Sequence, residues 1–285
     1  MKDIVLIPCW QRPEFLSLCI EQILSAEGCE NYHYLFLLDR GFAKENLDLI
    51  SIFPLDKTTL PRPETVPGIG RQSMNLLEGY RWASEQDCKK VFLIEEDIMI
   101  ANDFFTWHEA VHEAEDLLCS IATENNNTVH FAEDNLSKYY EGSPMDFQSL
   151  GVCWDREALK KYIIPHATKE YYRNPRGYVL AKFPTSVMGG NYAEQDGLIR
   201  RIRELECPLQ VIFPDVPRAF HAGYYGYNRP STKIPRGNLH YKIEHLRSII
   251  FNNEKMLEHS INEGYYSDSK PINLKNPKWL NQVKI

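Results

Sequence analysis

The stretch Val91-Phe92-Leu93-Ile94-Glu95-Glu96-Asp97-Ile98-Met99-Ile100 sets four apolar residues directly before three carboxylates, and an apolar run resumes behind them. The first apolar run predicts a buried strand, because a short continuous apolar segment suits a strand covered on both faces. Carboxylates packed against such a strand are costly unless a positive charge lies beside them. A divalent cation that carries a polyphosphate would supply that charge, and a solvated acidic turn is the alternative.

Apolar patterns on the N-terminal side of this strand predict a parallel sheet. Strands are expected at residues 4–7 and 34–38, helices at 13–26 and 71–85, and a proline-rich loop before the second helix. The order strand–helix–strand–loop–helix–strand indicates parallel strands joined by crossover helices. The fold class expected is α/β, with helices on both faces of a mainly parallel sheet.

The second half of the chain is less regular. Helices are expected at 104–118, 156–162, 196–205 and 236–258, strands at 150–154 and 209–213, and a polar tail at 264–285. We found no internal repeat and no clean linker, so a single domain over 1–285 is expected. Within it, 1–100 form the nucleotide-binding half, 101–235 the metal and acceptor half, and 236–285 a C-terminal helix and tail.

Composition narrows the class of protein. The chain has 285 residues, 43% of them hydrophobic, and a formal net charge of −7, which argues against a broad basic surface for nucleic acid. Its seven cysteines include no Cys-x-x-Cys pair, so neither a zinc knuckle nor a disulfide framework is indicated. With no signal-peptide pattern and no apolar stretch near 20 residues, we expect a cytoplasmic protein.

Two acidic features fall where strands end. Ligands of parallel α/β sheets bind beyond the carboxyl ends of the strands, and both Asp39 and the triplet Glu95-Glu96-Asp97 follow predicted strands. Arg12 follows the first strand and is either a phosphate or base contact or an ordinary surface arginine. Asp39 alone is equally well read as the cap of a turn.

Further candidates lie in the second half. His221 stands among glycines and tyrosines, as in a loop that covers a substrate, although a lone histidine is more often structural. Glu194 and Asp196 precede or open a helix, where an acid complements the helix dipole or serves as a general base. Trp154 and Tyr224 either stack on a sugar or belong to the core.

Taken in order, these features resemble the GT-A nucleotide-sugar glycosyltransferases, and most of all the N-acetylglucosaminyltransferase I family. That family has a Tyr-Arg-Trp-Ala helix, a Glu-Asp-Asp metal triplet, an Ala-Pro-Asp-Phe-Phe segment and a later Pro-Glu-Ile-Ser-Arg-Thr motif leading to Phe-Gly. The matching segments here are Tyr80-Arg81-Trp82-Ala83, the triplet Glu95-Glu96-Asp97, Ala101-Asn102-Asp103-Phe104-Phe105, and residues 214–220. Gly79 replaces a family histidine.

The resemblance implies a GT-A fold, a UDP-sugar donor and a Mn²⁺ or Mg²⁺ cofactor. It makes Asp97 the direct metal ligand, and His221 takes the place of a metal-ligating histidine of other GT-A enzymes. Glu95 is either part of the donor site or only the end of the strand. The residues expected at the nucleotide sugar are Pro8, Arg12, Asp39, Arg71, Arg81, Glu95 and Glu96.

For the acceptor side, the expectation is an inverting transfer of a hexose or N-acetylhexosamine to a hydroxyl. Asp196 aligns with the family's catalytic base, and Glu194 is the alternative base. Trp154, Tyr224 and Arg229 are the acceptor contacts expected.

The acceptor expected is a glycan, a protein or a small molecule. A hydroxylated DNA base is the alternative, because residues 229–247 combine basic and aromatic side chains, although a solvated helix face explains them too. A nucleotidyltransferase and a non-catalytic sugar-nucleotide-binding protein are the other classes left open.

Overall fold

The computed structural model describes residues 2–62, 70–114, 117–123, 139–141, 147–186, 194–207, 210–214, 217–223 and 236–251. Strands in these ranges are β1 (Ile4–Cys9), β2 (His33–Leu38), β3 (Lys57–Pro61), β4 (Lys90–Leu93), β5 (Ile98–Ile100), β6 (Leu117–Ile121), β7 (Tyr139–Glu141), β8 (Val152–Asp155), β9 (Gln210–Pro214) and β10 (Ala219–His221). Helices are α1 (Pro13–Ser25), α2 (Lys44–Ile52), α3 (Arg71–Ser84), α4 (Phe104–Ala114), α5 (Arg156–Ala158), α6 (Lys169–Arg173), α7 (Pro175–Lys182), α8 (Gln195–Leu205) and α9 (Leu239–Phe251). A π-helical turn (Leu159–Ile163) follows α5, and 3₁₀ turns cover Cys29–Asn31 and Ile164–His166.

In the described part of the chain, eight strands form one mixed sheet in the order β3-β2-β1-β4-β8-β6-β9-β7. β3, β2, β1 and β4 are mutually parallel, and β6 runs parallel to β9. β8 is antiparallel to both of its neighbours, and β7 is antiparallel to β9. The fold class is therefore the one expected, a mainly parallel α/β sheet.

Side chains of β1 show why its apolar run is continuous. Val5 and Ile7 belong to the hydrophobic cluster that includes α1, α4 and α9, while Ile4 and Leu6 belong to the cluster that includes α3 and α8. Successive strand residues point to opposite faces, so both faces of β1 are covered. No helix in the described part of the chain has the length and apolar character needed to cross a bilayer.

Several boundaries differ from the sequence expectation. The region read as a proline-rich loop contains α2 and β3, and β3 extends the parallel sheet beyond β2. The helix expected at 104–118 ends at Ala114, because Leu117–Ile121 pairs with β8 and β9 instead. Apolar residues at a helix end and at the start of a buried strand look alike in sequence, which explains the error.

A small ribbon places part of the C-terminal half beside the acidic triplet. β5 and β10 pair antiparallel, with Ile98 opposite His221 and Ile100 opposite Ala219. Because β5 begins directly after Asp97, this register places His221 beside the acidic triplet that follows β4. The prediction of a single domain with three segments stays a prediction.

Candidate functional site

Arg12 lies between two acids of the triplet. Its Nε donates to Glu96 Oε1 at 2.7 Å and its Nη1 to Asp97 Oδ2 at 2.6 Å. The backbone N–H of Trp10 donates to the other oxygen of Glu96 at 3.0 Å. The buried acids are thus partly neutralised by an arginine from the loop between β1 and α1, and the three side chains keep a formal charge of −1.

His221 is the fourth member of this group and contacts Asp97. Its Nε2 lies 3.3 Å from Asp97 Oδ2, and the backbone N–H of Ala222 donates to the carbonyl of Asp97 at 2.8 Å. Burial would raise the pKa of Asp97, but the hydrogen bond with His221 and the charge of Arg12 outweigh it and lower the pKa to about 2. Asp97 is therefore a carboxylate at neutral pH. We call Arg12, Glu96, Asp97 and His221 the edge cluster.

The edge cluster fits a divalent cation. Asp97 Oδ1 is buried and has no hydrogen-bond partner, so one carboxylate oxygen remains for a ligand. A Cβ on Gly223 would lie 2.6 Å from His221 Nε2 and 2.7 Å from Asp97 Oδ2, so the absent side chain leaves space beside both atoms. A carboxylate oxygen suits Mg²⁺ or Mn²⁺, and an imidazole nitrogen suits divalent transition metals. The described residues offer no group of three or more such ligands; Mg²⁺ often binds one or two carboxylates together with substrate phosphates.

Asp39 lies at the carboxyl end of β2, next to the end of β1. Its backbone N–H donates to the carbonyl of Cys9 at 3.0 Å, and its carboxylate is paired with Arg62. Arg71 is close by, since its Nη2 donates to the carbonyl of Arg40 at 3.0 Å. Burial, helped by the charge of Arg71, lowers the pKa of Arg62 to about 10.

Arg62 is not among the residues that the sequence predicts, because it stands in a stretch whose prolines predict a loop. Its side chain is 2% exposed in the ion pair with Asp39. The proline on either side of it in Pro61-Arg62-Pro63 gave no hint of a partner. Pro8 lies one residue before the end of β1, opposite Leu37 of β2, so it belongs to the same edge.

Asp196 lies in the first turn of α8 and is held by Ser149. The hydroxyl of Ser149 donates to Asp196 Oδ1, and its backbone N–H donates to Oδ2 at 3.3 Å. Burial raises the pKa of Asp196, although these hydrogen bonds oppose it. Burial, then the charges of Asp97 and Asp196, raise the pKa of Glu95 well above its usual range. Glu95 therefore lies near both the edge cluster and Asp196.

Glu194 is the exposed residue just before α8, and its carbonyl accepts from the Tyr171 hydroxyl at 3.3 Å. Asp196 is close enough to the triplet for its charge to raise the pKa of Glu95. The choice between Asp196 and Glu194 as the base stays a prediction.

Other expected residues lie elsewhere. Trp154 is 0% exposed, and its Nε1 donates to the Tyr80 hydroxyl at 3.0 Å, so it presents no face to an acceptor. The Arg81 guanidinium is bonded to Glu78 at 3.2 Å and to the carbonyl of Ala167. It stands ten residues beyond Arg71 on α3, roughly 15 Å along the helix axis. These positions correct the expectation that Trp154 binds the acceptor and Arg81 the donor.

The remaining candidates are Tyr224 and Arg229, which lie outside the described residues, as do the glycine- and tyrosine-rich loop after Gly223 and residues 229–235 of the 229–247 segment. In the described part of that segment, Arg247 is paired with Glu21 at 3.2 Å and with Glu244 at 2.9 Å. Arg247 is therefore engaged within the protein and is a poor candidate for a phosphate contact.

Two motifs of the resemblance meet in space. Arg218 Nε donates to Asp103 Oδ2 at 3.3 Å, and the Ala101 N–H donates to the carbonyl of Arg218 at 2.9 Å. This contact ties the segment after β5 to the segment before β10, and so supports the ribbon that carries His221.

Comparison with solved structures identifies the fold. No protein-family model and no curated protein matches the sequence. Residues 1–349 of TarS from S. aureus, in complex with UDP-GlcNAc, match with a TM-score of 0.52 at 12% identity, over 99% of this chain and 80% of that one. The galactosyltransferase LgtC gives a TM-score of 0.45 at 9% identity, over 74% and 72% of the two chains. The 4-diphosphocytidyl-2C-methyl-D-erythritol synthase of Anaerococcus prevotii gives 0.43 at 10%, over 86% and 99%.

The likeness to LgtC and to the synthase is too low to carry an argument. The likeness to TarS extends over nearly the whole of this chain, and at 12% identity it shows the fold and not the activity. The chain therefore has the GT-A, Rossmann-like fold, with its edge cluster at the carboxyl end of the parallel strands.

Proposed function

We propose that this protein is a metal-dependent glycosyltransferase that moves a sugar from a nucleoside diphosphate, UDP first of all, to an acceptor hydroxyl. The observation that carries the proposal is the pairing of Asp97 with His221 at the carboxyl edge of a GT-A sheet, with Asp97 Oδ1 buried and unpaired. Neither the strand nor the ribbon needs that oxygen for its own hydrogen bonds.

Asp97 and His221 would hold the cation, Mn²⁺ or Mg²⁺. When bound there, the cation supplies positive charge to the diphosphate leaving group. Arg12 fixes the orientation of Asp97, since its guanidinium bonds Glu96 and Asp97 at once. Glu96 is held by both Arg12 and the Trp10 N–H, so its role is to keep Arg12 in place.

The nucleoside would lie along the ends of β1 and β2. Pro8, Asp39 and Arg71 border this edge, and the ion pair of Asp39 with Arg62 gives it both an acceptor and a donor for a base or ribose. In this arrangement the diphosphate lies toward the edge cluster and the nucleoside toward β2.

The acceptor side is assigned to Asp196. Its carboxylate takes the proton of the acceptor hydroxyl while that oxygen forms a bond to the anomeric carbon of the donor sugar. The bond from the anomeric carbon to the diphosphate breaks with its electron pair, and nucleoside diphosphate leaves. A single in-line displacement inverts the anomeric configuration. The acceptor class proposed is a hydroxyl of a glycan, a protein or a small molecule.

A donor screen tests the proposal. The protein is heated with each nucleoside diphosphate sugar, with and without Mn²⁺, and a ligand at 100-fold its dissociation constant should stabilise it by about 2.7 kcal/mol. Donors that stabilise only with Mn²⁺ are then incubated with acceptors, and release of nucleoside diphosphate is measured. Release of pyrophosphate would instead identify a nucleotidyltransferase, and binding without any turnover would identify a non-catalytic protein.

Acceptor preference is measured with the same donor. A DNA acceptor that carries a hydroxylated base should lose activity steeply with salt, because phosphate contacts release counterions. A glycan acceptor should be nearly insensitive to salt. A dominant, salt-sensitive activity on DNA would overturn the proposed acceptor class and leave the sugar transfer intact.

A further inference from the structure

Ser149 makes an unusual contact for a residue outside any helix or strand. It is 1% exposed, and it donates to both oxygens of Asp196, through its hydroxyl to Oδ1 and through its backbone N–H to Oδ2 at 3.3 Å. A carboxylate held at both oxygens by one residue cannot rotate about its last side-chain bond without losing a hydrogen bond. Ser149 therefore fixes the plane of this carboxylate.

The segment around Ser149 is itself anchored at both ends. Phe147 is 0% exposed, its ring centroid lies 5.3 Å from that of Trp154, and its carbonyl accepts from Arg200 Nε at 2.9 Å. Two residues after Ser149, Gly151 has a φ of +64°, and its carbonyl accepts from the Ala122 N–H at 2.8 Å. A Cβ on Gly151 would lie 2.8 Å from Ala219 Cβ, so this turn depends on glycine.

Arg200 adds a second tie between this segment and α8. It stands four residues after Asp196, so it lies on the same side of the helix. Its bond to the Phe147 carbonyl holds the segment against the first turn of α8, and its charge favours the ionised form of Asp196. The clamp on Asp196 is thus a property of the folded core and does not depend on a loop closing.

We propose that Ser149 is a positioning residue for the base: it holds the carboxylate of Asp196 ionised and oriented toward the acceptor hydroxyl. The inference rests on the proposed function, in which Asp196 takes the acceptor proton as the sugar is transferred. Each oxygen of a carboxylate has two acceptor positions. One position on each oxygen is used by Ser149, and the other remains for the hydroxyl proton.

The test compares Ser149→Ala, Ser149→Thr and wild type in the pH dependence of kcat at saturating donor and Mn²⁺. Ser149→Ala loses a hydrogen bond to a charged group, which corresponds to a fall in kcat of roughly tenfold or more. Because that bond favours the ionised carboxylate, the acid limb of the profile should move to higher pH by about one unit. KM for the donor should not change. Ser149→Thr keeps the hydroxyl and should restore most of the activity and the position of the limb.

Ser84→Ala is the matched control, since Ser84 is a buried serine that donates to the carbonyl of Arg81 at 2.7 Å. It ends α3, whereas the contact of α3 with the start of α8 is made by Ser73 in the first turn. Ser84→Ala should leave the pH profile in place. If Ser149→Ala keeps the wild-type profile, or if it only lowers the melting temperature and threonine rescues nothing, the inference is wrong.

Asp196→Asn separates this failure from a failure of the proposed function. Loss of turnover in Asp196→Asn together with an unmoved profile in Ser149→Ala would overturn the role of Ser149 alone. A wild-type protein that releases no nucleoside diphosphate, or an Asp196→Asn variant with full activity, would overturn the assignment of the base and with it the role of Ser149.

Discussion

Two clusters of similar polar side chains lie along β4, and they differ in what they can bind. At its carboxyl end stands the edge cluster of Arg12, Glu96, Asp97 and His221. At its first residue Lys90 is paired with Glu109, and beside the body of the strand Ser120, which is level with Phe92 through Cys153, lies 2.5 Å from His108 Nδ1 and 2.9 Å from His112 Nε2. We call Lys90, Glu109, His108, His112 and Ser120 the basal cluster.

Both clusters offer histidine, acid and a cationic side chain, and the difference between them lies in how deeply they are buried. His108 and Ser120 of the basal cluster are 0% exposed, and the pKa of His108 is held well below its usual range by burial. In the edge cluster the His221 side chain is 37% exposed and Asp97 keeps an unpaired oxygen. Polar groups that are buried in the core contribute to the stability of the fold. Polar groups at the strand ends that remain accessible to solvent can bind a ligand.

Removing one acid from each cluster tests this difference with the largest expected effect. Asp97→Asn should lower kcat/KM at least about a hundredfold, because a charged ligand for the cation is lost. Glu109→Gln, at the other end of the strand, should leave donor turnover within about twofold. The measurement is nucleoside diphosphate release with Mn²⁺, and donor binding by calorimetry. Equal losses in the two variants would contradict the assignment of the site to the carboxyl end.

A smaller effect is expected from Gly223→Ala. The new methyl group would lie 2.6 Å from His221 Nε2 and 2.7 Å from Asp97 Oδ2, so one of the two side chains must move. Overpacking of this kind costs about 1–3 kcal/mol, which corresponds here to roughly tenfold weaker Mn²⁺ binding. Calorimetric titration with Mn²⁺ and UDP measures it, and the melting temperature shows whether the fold is kept. Unchanged Mn²⁺ affinity would show that the space beside Gly223 is not the cation site.

The basal cluster should affect the free energy of unfolding and not the rate of donor turnover. Burial and the charge of Lys90 lower the pKa of His112 to about 4, against about 6.5 in an unfolded chain. Between these values the unfolded chain binds a proton that the folded protein does not, so the free energy of unfolding falls as the pH falls from 6.5 toward 4. The slope from this residue is about 1.4 kcal/mol per pH unit at most.

Replacing His112 with Gln should therefore reduce the acid-side slope by about 1 kcal/mol per pH unit, because glutamine cannot bind the proton. Urea unfolding at several pH values from 4 to 7 measures the slope, with the exposed His240 changed to Gln as a control. A slope that stays the same would mean that another group dominates acid unfolding. Donor turnover at pH 7 should be nearly the same in His112→Gln and wild type.

The candidate site was predictable where a residue stands directly beside a strand in the sequence. Asp97 and Glu96 follow an apolar run, Arg12 follows β1, and Asp39 follows β2, so the ends of adjacent parallel strands bring them to one edge. Trp154 was not predictable in this way. It occupies a β8 position that faces the core between Tyr80 and Phe147, and a single tryptophan looks the same in sequence whether it faces a core or a cleft.

Contacts between segments that are distant in the sequence were also not predictable. Ser149 carries no motif, and its contact with Asp196 arises because the segment before β8 lies against the first turn of α8. Arg62 likewise gained its role from β3, a strand hidden in a stretch that prolines made look irregular. Such contacts depend on register across dozens of residues, which local patterns do not contain.

Local apolar runs and turns encode the layered α/β fold and the acidic end of β4, so neighbouring residues in the chain are enough to predict both. Which acids are satisfied and which keep an open oxygen follows from contacts between distant segments. That distinction depends on Arg12 crossing from the end of β1, on the β5–β10 ribbon that brings His221 to Asp97, and on Ser149 reaching Asp196. A buried carboxylate takes its chemistry from the groups that surround it, and those groups come from distant parts of the chain.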